Sequence, residues 1–365
     1  MGPMRWRIAK AGFCLQVAGC MPNDFSDLIA AAELTADQCR EVAAWLVDGA
    51  VADEAKAQAL LAWARRGESP AEIAVLVEAF LQRALDPGLD VAALPGPMLD
   101  VVGTGGDGLH LFNVSTTAMF ILAASGVCVT KHGNRGVTSK AGGADVLEAL
   151  GVAIDLPAPR VAAGMAELGL GFFFAPLYHP AFKAVAGARR LLAAQGQRSV
   201  FNMLGPLLNP ARPAHQLIGV FSPALLPVFG QILQRLGRRA AWVVHGEVPG
   251  HGGMDELSSL GGNEVCALKD GKLASLRVDP RELGLAPAQL ADLVGGDAAH
   301  NAGLVRAILQ GQDRGPRADI ALLNAAAGLV VVGKAAAMPE GLALARQALE
   351  SGAAAAKLEA LAQWR

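Results

Sequence analysis

Apolar and polar residues alternate with a helical period along the first part of the chain. Over residues 27–85, apolar side chains recur every three or four positions, with interruptions at 48–49 and 67–70. Ser69 followed by Pro70 is typical of a helix N-cap and its first turn. The pattern therefore predicts an all-helical segment made of several short helices.

A linker separates this segment from the rest of the chain. Three prolines and two glycines fall within residues 86–97, a composition typical of turns and connections. We therefore predict a helical domain over residues 24–95. It is preceded by an N-terminal extension, residues 1–23, to which the sequence assigns no role.

Beyond the linker, short apolar runs are separated by helical patterns, as in α/β folds with a buried parallel sheet. The runs interpreted as strands lie at 99–103, 127–131, 217–221, 240–246 and 318–325. Residues 183–210 return to a helical, proline-punctuated pattern and are predicted to join the helical domain. The predicted fold class is α/β: a small α-helical domain and a larger α/β domain, residues 98–182 and 211–365, with a mostly parallel central sheet.

Composition constrains the core and the partners. Hydrophobic residues make up 53% of the chain and aromatic residues 5%, so the core is built mainly from Ala, Leu and Val. The formal net charge of -2 provides no general polycation for nucleic acid or for an acidic membrane. No nucleic-acid partner is expected, and any phosphate binding must come from a local site.

The cysteines indicate a reducing compartment. Five cysteines are scattered without C-x-x-C spacing, which fits neither a disulfide framework nor a zinc cluster. No segment approaches about 18 uninterrupted apolar residues, so no membrane span is expected. We predict a cytoplasmic protein.

Glycines crowd the connection between the first predicted strand and the following helix. Gly103, Gly105, Gly106 and Gly108 let the backbone approach a phosphate without a Cβ in the way. Ser115 and Thr116 add hydroxyls at the start of the helix. A tight strand-to-helix connection is the alternative explanation, but it does not account for Asp107 among the glycines. The spacing differs from that of ATP-binding P-loops and of dinucleotide-binding turns.

A second polar loop follows the next predicted strand. Lys131, His132, Asn134 and Arg135 fall within five positions, and Thr138, Ser139 and Gly143 come shortly after. Loops at the carboxyl ends of neighbouring parallel strands converge on one crevice. We therefore predict a phosphate- and ribose-binding site over residues 100–145.

An acidic pair, Asp255-Glu256, follows the apolar run at 240–246. Carboxylate oxygens suit Mg²⁺, which takes its remaining ligands from water and phosphate. Solvated surface charge is the alternative explanation for such a pair. Its position after a predicted strand favours the magnesium site.

Several motifs bring these features together. GTGGDG, FNVST, KHGNR, SK-x-G-x-AD, FAPLYHP, RSVFNMLGPLLNP and GGMDE occur in the order seen in anthranilate phosphoribosyltransferases, and residues 27–361 resemble that family. The resemblance implies the type IV phosphoribosyltransferase fold and a homodimer formed through the helical domains. It also implies transfer of phosphoribose from phosphoribosyl pyrophosphate (PRPP) to the amine of anthranilate, with release of pyrophosphate, in tryptophan biosynthesis.

The resemblance also implies site residues, where this sequence matches the family. PRPP contacts are implied for Gly103, Thr104, Gly105, Gly106, Asp107, Asn113, Ser115, Thr116, Lys131, Ser139 and Gly143. Acceptor contacts are implied for Gly103, His132, Asn134, His179 and Arg189, and Mg²⁺ ligation for Ser115, Asp255 and Glu256. Catalysis is then electrostatic, through Lys131, Asp255 and Glu256, without a general base.

The sequence also departs from the family pattern. Gly136 stands where the family usually has Ser or Ala, and Ala141 and Gly143 stand where serines are usual, which removes hydroxyls that could bind phosphate. Arg189 has a second explanation as part of an ordinary basic helix face. Three other functions stay open: a related transferase with a different aromatic acceptor, a pyrimidine nucleoside phosphorylase of the same fold, and a non-enzymatic nucleic-acid-binding paralogue. The KHGNR and GGMDE motifs oppose the second, and the net charge of -2 opposes the third.

Overall fold

The structure, a computed structural model, describes residues 25–136 and 140–365. The predicted N-terminal extension, residues 1–23, lies outside these ranges, as does Ser139 of the predicted PRPP site. Within them, no helix combines the length and the apolar character needed to cross a bilayer.

Short helices form the first part of the described chain. They are α1 (Ser26–Ala31), α2 (Ala36–Leu46), α3 (Asp53–Arg66) and α4 (Pro70–Leu81). Ser69 caps α4 by accepting a hydrogen bond from the Glu72 backbone N–H, and Pro70 occupies the first turn. The predicted helical segment and its cap are confirmed. A 3-10 turn at Val91–Ala93 then leads into the sheet.

A mixed sheet of eight strands lies at the centre of the remaining described chain. Its strands are β1 (Met98–Gly103), β2 (Cys128–Gly133), β3 (Leu170–Phe174), β4 (His215–Gly219), β5 (Ala240–Val248), β6 (Gly252–Met254), β7 (Asn263–Lys269) and β8 (Lys272–Val278). The strand order is β3-β2-β1-β4-β5-β7-β8, with β6 paired to β5. Strands β1 to β5 run parallel, while β6, β7 and β8 pair antiparallel. The predicted α/β class is confirmed.

Further helices flank the sheet. They are α5 (Val114–Ala124), α6 (Gly143–Ala149), α7 (Ala158–Leu168), α8 (Ala175–Tyr178), α9 (Ala186–Ala194), α10 (Phe201–Leu204), α11 (Leu225–Arg235), α12 (Leu290–Leu293), α13 (Ala298–Leu309), α14 (Pro316–Val331), α15 (Met338–Glu350) and α16 (Ala353–Gln363). Between α9 and β4, the chain passes through short helical turns punctuated by prolines.

One predicted strand is wrong: the run at 318–325 lies inside α14. This helix packs against α5, α15 and the sheet, so 12 of its 16 residues are buried. A helix that is apolar on every side loses the alternation that distinguishes helix from strand. The sequence interpretation therefore mistook a buried helix for a buried strand.

Two hydrophobic clusters occupy opposite faces of the sheet. The first joins alternate strand residues, among them Val101 and Val244, to α5, α13, α14 and α15. The second joins the intervening residues, among them Ile218 and Val243, to α2, α3, α4, α9 and α11. The helical segment thus packs directly on the sheet, and α9 lies against α3. The parallel strands end on the side where the polar loops lie.

Candidate active site

A cavity of about 660 Å³ opens where β1 and β2 end. The loop between β1 and α5, the loop between β2 and α6, and the acidic pair after β6 form its walls. The structure brings these predicted residues to the lining: Gly103, Thr104, Gly105, Gly106, Asp107, Asn113, Ser115, Thr116, Lys131, His132, Asn134, Gly143, Asp255 and Glu256. Segments up to about 150 positions apart therefore meet in one cavity, as expected at the carboxyl edge of a parallel sheet.

The glycine-rich turn has a backbone that other residues rarely adopt. Gly105, Gly106 and Gly108 have φ values of 70°, 89° and 70°, in the left-handed region that favours glycine. The Asp107 carboxylate accepts a hydrogen bond from the Leu109 backbone N–H at 3.1 Å, which tightens the turn. Backbone N–H groups near the start of α5 add to the positive potential at this end of the cavity.

Asp255 lies against the glycine-rich turn and the end of β4. The Gly105 backbone N–H donates to Asp255 Oδ2 at 2.6 Å. A Cβ at Gly103 would lie 2.3 Å from the same oxygen, and a Cβ at Gly219 would lie 1.6 Å from the Asp255 backbone oxygen. Glycine is therefore required at both positions for the acidic pair to reach the turn.

Lys131 is buried beneath the start of α5. Its side chain is 4% exposed, and Nζ donates to Val101 O at 2.9 Å and to Ser115 Oγ at 3.0 Å. Burial lowers the pKa of Lys131, while the nearby carboxylates of Asp100 and Glu256 favour its charged form. A lysine held in this way supplies positive charge at a fixed point of the cavity.

The acidic pair has unusually basic carboxylates. Burial raises the pKa of Glu256 to about 7, although Lys131 and the Ser115 backbone N–H, 3.2 Å from Oε1, oppose the shift. Burial and the neighbouring charges of Asp107 and Glu256 hold the pKa of Asp255 well above its usual range. Buried carboxylates that repel one another become more stable when a cation binds between them.

The acidic pair fits a magnesium ion whose remaining ligands come from a bound substrate and water. Within the described ranges, no three His, Cys, Asp or Glu side chains converge as a ready-made metal site. Mg²⁺ commonly binds through one or two carboxylates plus water and phosphate oxygens. Asp255 and Glu256 supply the carboxylates and Ser115 a hydroxyl, so the donor set matches that pattern.

Asp145 connects Gly136 and Gly142, which lie before α6. Its Oδ2 accepts hydrogen bonds of 2.8 Å from the backbone N–H groups of Gly136 and Gly142. A Cβ at Gly142 would lie 2.4 Å from Gly136 N, whereas one at Gly143 would make ordinary contacts. Gly142 is thus the glycine that the loop requires, and Gly143 has room for a side chain.

His132 lines the cavity, and its Nε2 atom is buried. The residue is 7% exposed, and Nε2 has no hydrogen-bond partner in the part of the chain that the structure describes. Burial, followed by the charges of His179 and Lys131, lowers the pKa of His132 to about 3. The imidazole is therefore neutral near pH 7.

His179 and Arg189 lie outside the lining of this cavity. The His179 ring contacts His132 edge-on, with centroids 5.3 Å apart, and Nε2 donates to Leu208 O at 2.8 Å. The Arg189 guanidinium lies 5.4 Å from the ring centre of Phe201. His179 thus packs against the His132 ring, whereas Arg189 is exposed on α9. Neither residue lines the cavity that contains the glycine-rich turn.

Three residues in or next to the lining were not predicted as site residues from the sequence. Arg198 and His110 both line the cavity, and His110 has a φ of 54°. Asn301 of α13 donates from Nδ2 to Asn113 Oδ1 at 2.9 Å. Arg198 opens the RSVFN motif and His110 follows the glycines, so both lie beside recognised motifs, but nothing in the sequence places Asn301 next to Asn113.

Comparisons with known proteins agree with the family resemblance seen in the sequence motifs. Residues 95–355 match the family model described as "Glycosyl transferase family, a/b domain". Anthranilate phosphoribosyltransferase of Anaeromyxobacter sp. (strain K) is 45% identical over 329 residues, covering 90% of this chain and 94% of the relative.

Solved structures agree with this match. The crystal structure of the Thermus thermophilus enzyme has a TM-score of 0.85 and 42% identity, covering 93% of this chain and 99% of that one. The Saccharomyces cerevisiae enzyme in complex with PRPP and Mg has a TM-score of 0.77 and 26% identity, covering 89% and 90%. A second yeast structure, in complex with 4-fluoroanthranilate, has a TM-score of 0.75 and 26% identity, covering 90% and 91%. The chain belongs to the anthranilate phosphoribosyltransferase family.

Proposed function

We propose that this protein transfers phosphoribose from PRPP to the amine of anthranilate, giving N-(5-phosphoribosyl)anthranilate and pyrophosphate in tryptophan biosynthesis. The observation that carries the proposal is a single cavity that combines the amides of the glycine-rich turn, the buried Lys131 and the Asp255-Glu256 pair. The family relatives carry this activity in their names, and the yeast protein binds PRPP, Mg and 4-fluoroanthranilate.

The chemistry requires stabilisation of charge more than proton transfer. Cleavage of the bond between the anomeric carbon and pyrophosphate leaves negative charge on the leaving group and positive charge on the ribose. The turn amides and Lys131 would stabilise the leaving group, because fixed donors need little reorganisation in the transition state. Magnesium, held by Asp255, Glu256 and the Ser115 hydroxyl, would neutralise phosphate charge.

We place the donor on the glycine-rich turn and the start of α5. The PRPP contacts proposed are Gly103 to Asp107, Asn113, Ser115, Thr116, Lys131 and Gly143, with Ser139 outside the described residues. Asn113 supports the proposal because its side chain is fixed by Asn301 and donates to Ala141 O at 3.4 Å. These contacts tie α5, α13 and the β2–α6 loop around one ligand.

We place the acceptor on the His132 side of the cavity, with Gly103 and Asn134. An aromatic amine is mostly unprotonated at neutral pH, so no strong general base is required, and positioning supplies much of the acceleration. The proton that the amine loses as the C–N bond forms passes to water. The neutral His132 offers a hydrogen-bonding nitrogen that does not repel a cationic sugar. His179 would position the His132 ring, and Arg189, exposed on α9, would pair with the acceptor carboxylate. A different aromatic acceptor remains the alternative.

We also propose a cytoplasmic homodimer formed through the helical domain. The described cysteines, Cys39, Cys128 and Cys266, are buried and unpaired, which supports a reducing compartment. Light scattering of the purified protein tests the oligomeric state, and a monomer at micromolar concentration would contradict the dimer. No nucleic-acid partner is proposed.

Turnover of anthranilate tests the function directly. With PRPP and Mg²⁺ present, the purified protein should convert anthranilate, which is measured as a decrease in anthranilate fluorescence. Removal of Mg²⁺ with a chelator should stop this decrease. Asp255→Asn combined with Glu256→Gln should abolish turnover while the thermal transition persists. The matched control, Glu264→Gln with Asp270→Asn, removes the same charges from exposed positions around β7 and should leave turnover unchanged.

Two outcomes would contradict the assignment. Undiminished activity of the Asp255/Glu256 variant would remove the pair from metal binding. No loss of fluorescence at millimolar substrates would exclude anthranilate, and pyrophosphate release with a panel of aromatic amines would then identify another acceptor. Salt-sensitive DNA binding without any pyrophosphate release would indicate the non-enzymatic paralogue.

A further inference from the structure

Arg198 lines the same cavity as the glycine-rich turn and the acidic pair. It lies between α9 and α10, where the chain crosses back towards the sheet, and its side chain is exposed. The next residues, Val200 and Phe201, are buried in the cluster that contains the helical segment. Arg198 therefore extends into the cavity from a part of the chain anchored on the helical side.

The Arg198 guanidinium is placed by stacking on Phe221. Its carbon lies 4.6 Å from the centre of the Phe221 ring, a cation–π distance. Phe221 is in turn fixed to the glycine-rich turn, because its backbone N–H donates to Thr104 Oγ1 at 3.3 Å. The same ring lies 4.0 Å from the position of a Cβ at Gly106. Stacking thus holds Arg198 beside the turn.

The guanidinium has no anionic partner of its own. No ion pair of Arg198 occurs within residues 25–136 and 140–365. Arg135, the other arginine of the lining, is paired with Glu148 at 2.6 Å and with Asp145 at 3.4 Å. Stacking on a ring leaves the N–H edges of a guanidinium free, and these edges match two oxygens of a phosphate.

We propose that Arg198 binds phosphate oxygens of the donor that the glycine-rich turn holds, and so adds a guanidinium to the backbone amides of the turn. The inference rests on the proposed function for the identity of the donor. Arg198 belongs to the donor side because Phe221, on which it stacks, contacts the turn at Thr104 and Gly106. The acceptor side lies by contrast around His132, His179 and Phe182, whose rings contact one another.

Pyrophosphate binding tests the proposal without any need for turnover. Titration of magnesium pyrophosphate into the full-length protein by calorimetry should show affinity weakened roughly 10- to 100-fold in Arg198→Met, as expected for loss of a charge-assisted hydrogen bond. Arg198→Lys keeps the charge without the fork and should recover part of the loss. In steady-state assays the KM for PRPP should rise in the same order, while the KM for anthranilate stays unchanged.

Arg65→Met serves as the matched control, because it removes one exposed arginine at the end of α3 and should leave all constants unchanged. Equal pyrophosphate affinity in wild type and Arg198→Met would overturn the proposal. So would a rise confined to the KM for anthranilate, which would assign Arg198 to the acceptor carboxylate. If wild type binds magnesium pyrophosphate through Arg198 but consumes no anthranilate, the acceptor assignment fails and this inference stands.

Discussion

Two glycines set the distance between the glycine-rich turn and the acidic pair. Gly103 ends β1 and Gly219 ends β4, and these residues are register partners in the parallel sheet. Both face Asp255, which leaves no space for a methyl group at either position. The carboxylate accepts the Gly105 amide only because these two positions lack side chains. The geometry of the acidic pair is thus determined by two glycines outside the pair.

Gly103→Ala should therefore impair catalysis through Asp255. The new Cβ would lie 2.3 Å from Asp255 Oδ2, so the carboxylate must move away from the turn. We expect kcat/KM to fall roughly 10- to 100-fold, as for a catalytic group displaced by about 1 Å, with a stability loss of about 1–3 kcal/mol. Steady-state kinetics and urea unfolding measure the two effects.

Gly303→Ala is the control, since it adds a methyl group to α13 with no neighbour within 4 Å. It should retain activity and gain up to about 1 kcal/mol of stability, because alanine favours helix over glycine. Wild-type kinetics in Gly103→Ala would show that Asp255 tolerates displacement, contrary to its proposed metal role.

The sequence predicts which residues line the site better than it predicts the contacts that require them. The glycines of the turn were predicted because phosphate approaches bare backbone, yet at Gly103 the close neighbour is Asp255, far along the chain. The pairing of Asn113 with Asn301 is equally long-range. Such contacts follow from tertiary packing, which a single sequence does not specify. Local features such as the Ser69 cap depend on neighbours three residues away and are predictable.

At the scale of elements, a buried carboxylate joins three parts of the helical segment. Glu72 accepts hydrogen bonds from the Leu34 backbone N–H at 2.8 Å and from Trp63 Nε1 at 3.2 Å. Arg66 Nη2 lies 2.5 Å from both carboxylate oxygens. Burial alone would raise the pKa of Glu72, but these hydrogen bonds outweigh it and lower the pKa. The charged form is therefore the one that connects α3, α4 and the α1–α2 loop.

Glu72→Gln should destabilise the protein by about 2–3 kcal/mol at pH 7, because Arg66 then loses a buried charged acceptor. Since the folded pKa is lowered, the stabilisation by ionised Glu72 is complete above the unfolded pKa, near 4.3. It is lost as the pH falls through the lower folded pKa. The difference between wild type and variant should accordingly shrink below about pH 4.3.

Urea unfolding at several pH values measures this difference. Glu78→Gln, at an exposed position of the same helix, should show a change within about 0.5 kcal/mol. A wild-type advantage that persists unchanged at the lowest pH at which the protein folds would exclude ionised Glu72 as its source.

Element types were predictable where the local signal was distinct. Strands β1, β2, β4 and β5 have short apolar runs bounded by polar loops, and each was found. The β7–β8 hairpin was missed although Asp270 and Gly271, with φ values of 46° and 75°, form a two-residue turn of the type that Asp-Gly favours. Helix α14 was misassigned because its burial on all sides removes the helical alternation.

At the scale of the whole molecule, the helical segment is not independent of the sheet. The second hydrophobic cluster contains Leu60 and Phe80 of the helices together with Ile218 and Val243 of the strands. Because α9 and α11 belong to the same cluster, the wall that carries Arg198 is continuous with the face of the sheet. The sequence pattern changes near residue 95, but the hydrophobic core does not: the second cluster contains residues from both sides of this position.

We therefore expect the helical segment and the sheet to unfold in one transition. Trp45 and Trp63 are buried in the helical segment, and Trp242 lies on β5 in the other cluster. Incorporation of 5-fluorotryptophan gives each a separate ¹⁹F signal, assigned by single Trp→Phe variants. In a urea titration the signals should share one midpoint, since loss of either part exposes the shared core. A lower midpoint for Trp45 and Trp63 than for Trp242 would instead make the helical segment a separately unfolding unit, and displacement of α9 could then change the cavity without unfolding the sheet.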